Sequence, residues 1–390
     1  MKKLGLIIFI ILFSQGMLFS QLYFNLGIEE GVILSSGEYY TINDITSDVA
    51  YMIPFNKNNS LMAYYQLKYN GPSVGDNADA RFSERAQDHY FLLKYLLKVN
   101  NSLALKPSVS FFKEFYKFAK NEVWGEGLYD LNKYQFGIDI VSKGISTIPL
   151  TLIYKYQMFK YPNYHDLLTM YLTSFQDKKE IENYRNHLIS LSISEASFSK
   201  PLFINFIYDL NLSSYDNKKI LEATGYSGND KQKGVNHSIN LGPVYRASST
   251  ALALNFGLEL NDSNQNYIFG YTSTDIQLYS DYYSYTSFNV KPSITFMLSK
   301  IDYLALLFGY INKQYKNRSP QDSNGVFLLD SNLKTQSLSA GLSYFIKLSD
   351  YFSLNPEYLY VKSDSNNKYQ QSVNYNYDAH LITLKLNYEY

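Results

Sequence analysis

Along most of this chain apolar and polar residues alternate one by one, over stretches of roughly ten residues or more, the length of a tilted membrane-crossing strand. At the C-terminus Ile382, Leu384, Leu386, Tyr388 and Tyr390 alternate with Thr383, Lys385, Asn387 and Glu389. Leu338, Ala340, Leu342, Tyr344 and Ile346 alternate with Ser337, Ser339, Gly341, Ser343 and Lys347. Phe288, Val290, Pro292, Ile294, Phe296 and Leu298 do so against Asn289, Lys291, Ser293 and Thr295, and Ile148 to Met158 against Thr151, Lys155 and Gln157. A face that flips at every residue is that of a half-buried strand and is incompatible with a helix.

Two kinds of connection separate these segments, and they take turns. The short ones are Asn56–Asn59, Val99–Ser102, Ser142–Ser146, Ala196–Lys200, Ala247–Thr250, Ser299–Lys300 and Ser349–Tyr351. The long ones, rich in Asn, Ser, Asp, Gly and Lys, cover about 35–41, 71–84, 117–131, 160–183, 214–233, 262–280, 315–331 and 364–373. Seven short turns and eight long loops predict sixteen strands with both ends of the barrel chain on the short-turn side; 14 or 18 are the alternatives. Short turns, long loops and an even strand number predict an all-β fold, a closed antiparallel transmembrane barrel over residues 21–390.

Proline placement agrees. Pro72, Pro162 and Pro320 fall in long loops, whereas Pro54, Pro107, Pro149, Pro201, Pro243, Pro292 and Pro356 each lie near a different short turn. A proline deletes one ladder hydrogen bond, and near the rim water can satisfy the orphaned carbonyl. KPSVSF (Lys106–Phe111) and KPSITF (Lys291–Phe296), with KPLFINF and LNPEYLY, mark a hairpin unit reused along the chain.

Composition explains how such a chain avoids helical spans. Forty Tyr and 25 Phe make it 17% aromatic, yet mean hydropathy is slightly negative, as expected when half of each strand meets lipid and half meets water. Residues 1–20 read as a cleaved signal peptide: Lys2 and Lys3, the apolar run Gly5–Phe13, then Ser14–Ser20, with cleavage after Ser20. The absence of cysteine excludes disulfides and a lipoprotein anchor. A net charge of zero argues against nucleic acid as a partner.

The closing segment LITLKLNYEY resembles the C-terminal strand signal of bacterial outer-membrane β-barrel proteins, and the whole chain resembles that broad, porin-like class. The resemblance implies an outer-membrane location, with outer-membrane lipids and the barrel-assembly machinery as partners. It implies an assembly signal at Ile382, Leu384, Leu386, Tyr388 and Tyr390. The single Trp124 falls in a predicted outer loop, so Tyr and Phe must form the interfacial girdles.

With the apolar face turned to lipid, alternation sends Lys68, Lys94, Lys106, Asp139, Lys155, Asp209, Arg246, Glu259, Lys291 and Lys385 into the lumen, together with Glu114, Lys347, Glu357 and Glu389. Nearly balanced signs predict weak ion selectivity; a lumen packed shut by these pairs is the alternative. Residues Tyr303–Tyr310 are apolar on both faces, which suits contact with an in-folded loop or a neighbouring protomer. Within loop 160–183, Leu167, Leu168, Tyr171, Leu172 and Phe175 suit an amphipathic helix, folded into the pore or outward.

His89, His165, His187, His237 and His380 show no metal-site spacing, and no cofactor or catalytic group is expected. Asp88-His89 and Asp378-x-His380 resemble the Asp/His pairs of outer-membrane proteases, and Asn236-His237-Ser238 faintly resembles the arrangement in phospholipase barrels, but polar residues at loop–strand junctions account for all of them. Strand pattern begins at Leu22, leaving no room for a plug. A passive channel for small hydrophilic solutes is therefore the expected function. A surface-display barrel with a closed lumen and a soluble secreted all-β protein are the alternatives.

Overall fold

A computed structural model describes residues 21–35, 38–71, 84–118, 122–143, 148–164, 180–223, 227–269, 277–369 and 375–390. Residues 1–20, expected above to be a signal peptide, together with His165 and the stretch holding Leu167 to Phe175, lie outside the described residues. Sixteen antiparallel strands close into one barrel. In chain order they are β1 (Gln21–Ser35), β2 (Glu38–Pro54), β3 (Asn59–Gly71), β4 (Arg85–Lys98), β5 (Leu103–Lys117), β6 (Leu131–Ser142), β7 (Leu150–Lys160) and β8 (Tyr184–Ser199). There follow β9 (Leu202–Leu221), β10 (Ser227–Arg246), β11 (Thr250–Ser263), β14 (Tyr285–Met297), β15 (Tyr303–Tyr315), β16 (Lys334–Lys347), β17 (Phe352–Ser365) and β18 (Tyr377–Glu389). Between β11 and β14, β12 (Tyr267–Phe269) and β13 (Gln277–Tyr279) form a separate two-stranded sheet.

The seam joins β1 to β18 from Asn25↔Glu389 to Ser35↔Ala379, and Phe24 N donates to Tyr390 O at 2.9 Å. A closed ladder leaves no strand edge to satisfy, which is what a bilayer demands.

Two of the expected long loops are strand instead. Pairing of β1 with β2 continues to Ser35↔Glu38, so 35–41 is mostly a tight hairpin; the aromatic and β-branched run Tyr39-Tyr40-Thr41 favours strand over the neighbouring Ser and Gly. Over 214–233, β9 and β10 extend as a hairpin to Leu221 and Ser227, above the level where β11 stops pairing at Ser263. Both faces of that hairpin meet water, so polar residues occupy both and no alternation shows.

Prolines interrupt the ladder at four places, each toward one neighbour. β4–β5 pairing skips from Lys94↔Ser108 to Leu97↔Leu105 around Pro107, and β10–β11 from Leu241↔Phe256 to Val244↔Ala253 around Pro243. Likewise β14–β15 skips around Pro292 and β16–β17 around Pro356. Toward the other neighbour each proline keeps its place in register, opposite Ile138, Ile204, Leu254 and Leu384. The missing N–H costs one bond on one side only, and always in the half nearer the short turns.

Burial is the inverse of a soluble domain's. Among the described residues five hydrophobic side chains are buried against twenty polar or charged ones, while Leu152, Ile189, Leu212, Leu258, Phe308, Leu338, Ile382 and Leu384 stand exposed on the outside. An exposed apolar girdle around a polar interior is stable only with hydrocarbon as the outer solvent.

Candidate functional site

Residues opposite one another in register share a face, so the ladder assigns every inward side chain. Buried Gln135, Asp139, Gln157, Asn186 and Ser190 mark the inner face of β6, β7 and β8. Followed around the barrel, that face carries Lys68, Lys94, Lys106, Lys155, Asp209, Glu259, Lys291 and Lys385, with Arg246 on the same parity at the short-turn mouth. Glu114, Lys347, Glu357 and Glu389 share it.

Several of these groups meet. Lys94 Nζ lies 2.5 Å from Asp139, reaching across β5, where Lys106 stands opposite Asp139 in register. Lys68 lies 3.9 Å from Asp44, and Arg246 reaches Glu195 at 2.6 Å. Lys385 stands opposite Glu29, and Asp209 between Ser190 and Ser238. Among the described residues Lys155 and Lys291 have no carboxylate within ion-pair distance.

One wall of the lumen is tied together by amides. Gln157 donates to Gln135 at 2.7 Å, and Asn186 donates to Gln157 at 2.8 Å and Asn211 at 3.0 Å. Further round, Asn236 and Tyr285 each donate to Glu259 at 2.8 Å. The Lys313 ammonium sits 3.6 Å above the Tyr285 ring. On β1–β3, Asp48 accepts from Asn25, Tyr64 and Gln66 at 2.9, 2.6 and 2.7 Å. Nearer the long loops, Phe159 stacks on Tyr184 at 4.2 Å with Lys133 over the Phe159 ring at 4.9 Å.

The neighbouring wall is different. Ile207 and Ile311, both on the inner face, are each 39% exposed, and Lys291 is exposed beside them. A row of apolar side chains crosses β15 to β2 in register, Leu307–Gly341–Leu359–Leu381–Ile33–Tyr40. A Cβ on Gly341 would come within 3.1 Å of Leu359 Cδ1 and 3.7 Å of Leu307 Cβ, so the two leucines close over the glycine. This row accounts for the doubly apolar Tyr303–Tyr310: its inner residues belong to an apolar stripe along the lumen.

Two inward features escape the alternation. Lys313 sits in Asn312–Tyr315, polar on both faces, and Asp48 lies in a strand whose outer face also carries Ser47 and Asn43. Their roles come from cross-strand partners, which a single sequence does not display.

The four described histidines all point outward. Asp88 faces the lumen while His89 faces away, and Asn236 and Ser238 face inward while His237 does not. Neighbours on a strand point to opposite faces, so neither group assembles into a catalytic set. Asp378 and His380 share the outer face. Among the described residues no three His, Cys, Asp or Glu groups converge on a metal site.

Over the β11–β18 side, residues 264–269, 277–284, 316–333, 366–369 and 375–376 pack together. Phe327 contacts Phe269 and Tyr279 at 4.8 and 5.2 Å, and Arg318 lies 4.9 Å over Tyr282 while donating to Tyr375 at 2.8 Å. They line a hollow of about 410 Å³. Burial pushes the Tyr282 phenol up to about 12, against the opposing pull of Arg318. On the other side, Tyr161 N donates to buried Asn183 at 2.7 Å, and burial raises the Tyr161 phenol.

No protein-family model matches the chain, and no curated sequence is detectably related to it. Solved structures share its architecture. CdiB of Acinetobacter baumannii superposes with a TM-score of 0.51 at 11% identity, over 95% of this chain and 60% of that one. The chain has the closed-barrel fold of bacterial outer-membrane proteins. The outer membrane protein OmpT of Vibrio cholerae (TM-score 0.49, 10% identity, 95% and 99% covered) and OccD3 of Pseudomonas aeruginosa (0.49, 8%, 94% and 91%) are also similar. At such identities these likenesses concern the fold alone.

Proposed function

We propose that this barrel is a passive, porin-like channel for small hydrophilic solutes. One observation carries the proposal: Ile207 and Ile311 project into the lumen and stay exposed. In a lumen packed with side chains such residues would be the first to be covered. Sixteen strands enclose a cross-section wider than their own side chains fill. Paired charges such as Lys94–Asp139 neutralise one another, and Lys155 and Lys291 are set against inward carboxylates without an ion pair, Asp209, Glu259 and Glu357, so ion selectivity is weak. The outward histidines support a role without catalysis. Ile382, Leu384, Leu386, Tyr388 and Tyr390, on or just beyond the seam strand β18, are the residues proposed to meet the assembly machinery.

Reconstitution of the refolded chain in a planar bilayer tests this. Ohmic current steps, with swelling of proteoliposomes in small sugars, are expected. A folded, heat-modifiable barrel that never conducts would overturn it. It would favour a surface-interaction barrel instead, a reading supported by the packed loops around Arg318 and their hollow.

A further inference from the structure

The outward histidines repeat one arrangement four times. Tyr65 O–H lies 2.8 Å from His89 Nδ1, Tyr154 2.9 Å from His187, Tyr208 2.9 Å from His237 and Tyr358 2.8 Å from His380. In each case the histidine lies on a returning strand and the tyrosine on the strand before it. In each case the tyrosine is two residues from the histidine's register partner, which is Leu67, Tyr156, Leu210 or Tyr360. His89, His187 and His380 sit three or four residues from the start of their strands, and His237 three below Gly234, where β10–β11 pairing begins. At ~3.3 Å per residue this is some ten ångströms from the loop-side rim, the depth of lipid headgroups.

Nothing in the sheet needs these pairs, since a leucine at each position would bury its surface in hydrocarbon at no polar cost. The tyrosine fixes the imidazole instead. In the tautomer whose Nδ1 accepts from the phenol O–H, the ring proton sits on Nε2. Basic groups share the surroundings. Lys113 stands opposite His89, Arg185 lies two residues above His187, Lys362 two above Tyr360, and Lys316 is paired with Asp262 two residues beyond Leu260, the other partner of His237. Acids at this level are largely engaged: Asp216 by Arg185 at 3.1 Å, Asp262 by Lys316, and Asp364 by Lys362 at 3.7 Å, with Asp378 opposite Lys362 in register.

We propose that the four Tyr–His pairs form a lipid-headgroup girdle, in which each Nε2–H donates to a phosphate oxygen of a phospholipid in the leaflet facing the long loops. A donor aimed outward at headgroup depth matches a phosphodiester oxygen in geometry, and at His89 the neighbouring Lys113 matches its sign.

The test uses the full chain refolded in nanodiscs containing equal amounts of dioleoylphosphatidylglycerol and an uncharged galactolipid with the same acyl chains. Lipids retained on release are counted by mass spectrometry, and the histidine nitrogens are followed by ¹⁵N NMR. The barrel is expected to retain phosphatidylglycerol over galactolipid by roughly tenfold, the size of one good charge-assisted bond. Its Nε2 signals should move between all-phosphatidylglycerol and all-galactolipid discs. The combined His89→Phe, His187→Phe, His237→Phe and His380→Phe variant should lose most of that preference while still shifting on an unboiled gel. Should that variant not fold, Tyr65→Phe, Tyr154→Phe, Tyr208→Phe and Tyr358→Phe release Nδ1 alone and should weaken the preference. Equal retention of both lipids by the unaltered barrel, Nε2 signals indifferent to the headgroup, or shifts produced by inorganic phosphate in galactolipid discs would each overturn the proposal.

Discussion

The two walls of the lumen solve the same problem in different ways. Across β6–β8 the inner side chains are buried and tied to one another, amide to amide from Gln135 through Gln157 to Asn186, with Asp139 held by Lys94. Across β9–β15 the ties are local, Asn236 and Tyr285 to Glu259 and Lys313 over Tyr285, while Ile207, Ile311 and Lys291 are exposed. The backbone and its alternation are the same on both sides. What differs is that the first wall is buried along its chain of amides, whereas the second leaves inward side chains open to water between its ties. The tied wall gives the barrel a rigid side, and the exposed wall is where a solute would pass.

The sharpest way to break this contrast is to remove one partner from the tied wall. Asp139→Ala leaves Lys94 in a half-buried site without its counter-charge and is expected to destabilise the barrel by about 3 kcal/mol, read from denaturant unfolding in lipid. Asn186→Leu, which strands the Gln157 carbonyl and frees Asn211, should cost about 1–2 kcal/mol by the same measurement. On the exposed wall, Lys291→Ala should change stability by less than about 0.5 kcal/mol. Lys291→Glu should nevertheless move the reversal potential toward cation preference in a salt gradient, whereas Gln157→Glu on the tied wall should move it less. An equal stability loss on both walls would erase the distinction.

The smallest effect concerns the loops above the exposed wall. Tyr282 is raised to about 12 because burial penalises the phenolate. A raised pKa means the folded form holds its proton longer, so its contribution is intact below the usual tyrosine value near 10 and is lost as pH climbs toward 12. Tyrosinate absorbance should show a late-titrating phenol that Tyr282→Phe removes, with the loops loosening only in that alkaline window.

Strand number, seam and faces were legible because a barrel wall has two solvents and the sequence must alternate to satisfy both. Ile382 to Tyr390 show it well: their outer side chains are exposed on the outside and Lys385 stands opposite Glu29 inside. Legibility failed where the solvents became alike. The β9–β10 hairpin beyond the rim is wet on both faces and reads as loop. Tyr303–Tyr310 is apolar on both faces because the lumen carries its own stripe, Leu307 against Leu359 over Gly341. Asp88-His89 looked like a functional pair in one dimension and is split across the sheet in three. The repeated Tyr–His contact was hidden for the converse reason, since its members lie on different strands.

Strand β15 is where the assignment of faces has least help from composition, so it is where the account is tested most directly. The chain has no cysteine, which allows single nitroxide labels one at a time from Leu304 to Asn312 in a reconstituted bilayer. Collision with oxygen should peak at 304, 306, 308, 310 and 312, and collision with a water-soluble nickel chelate at 305, 307, 309 and 311, Ile311 highest among them. Loss of the two-residue period, or inner positions shielded from both reagents, would contradict a lipid-facing barrel around an open, water-filled lumen.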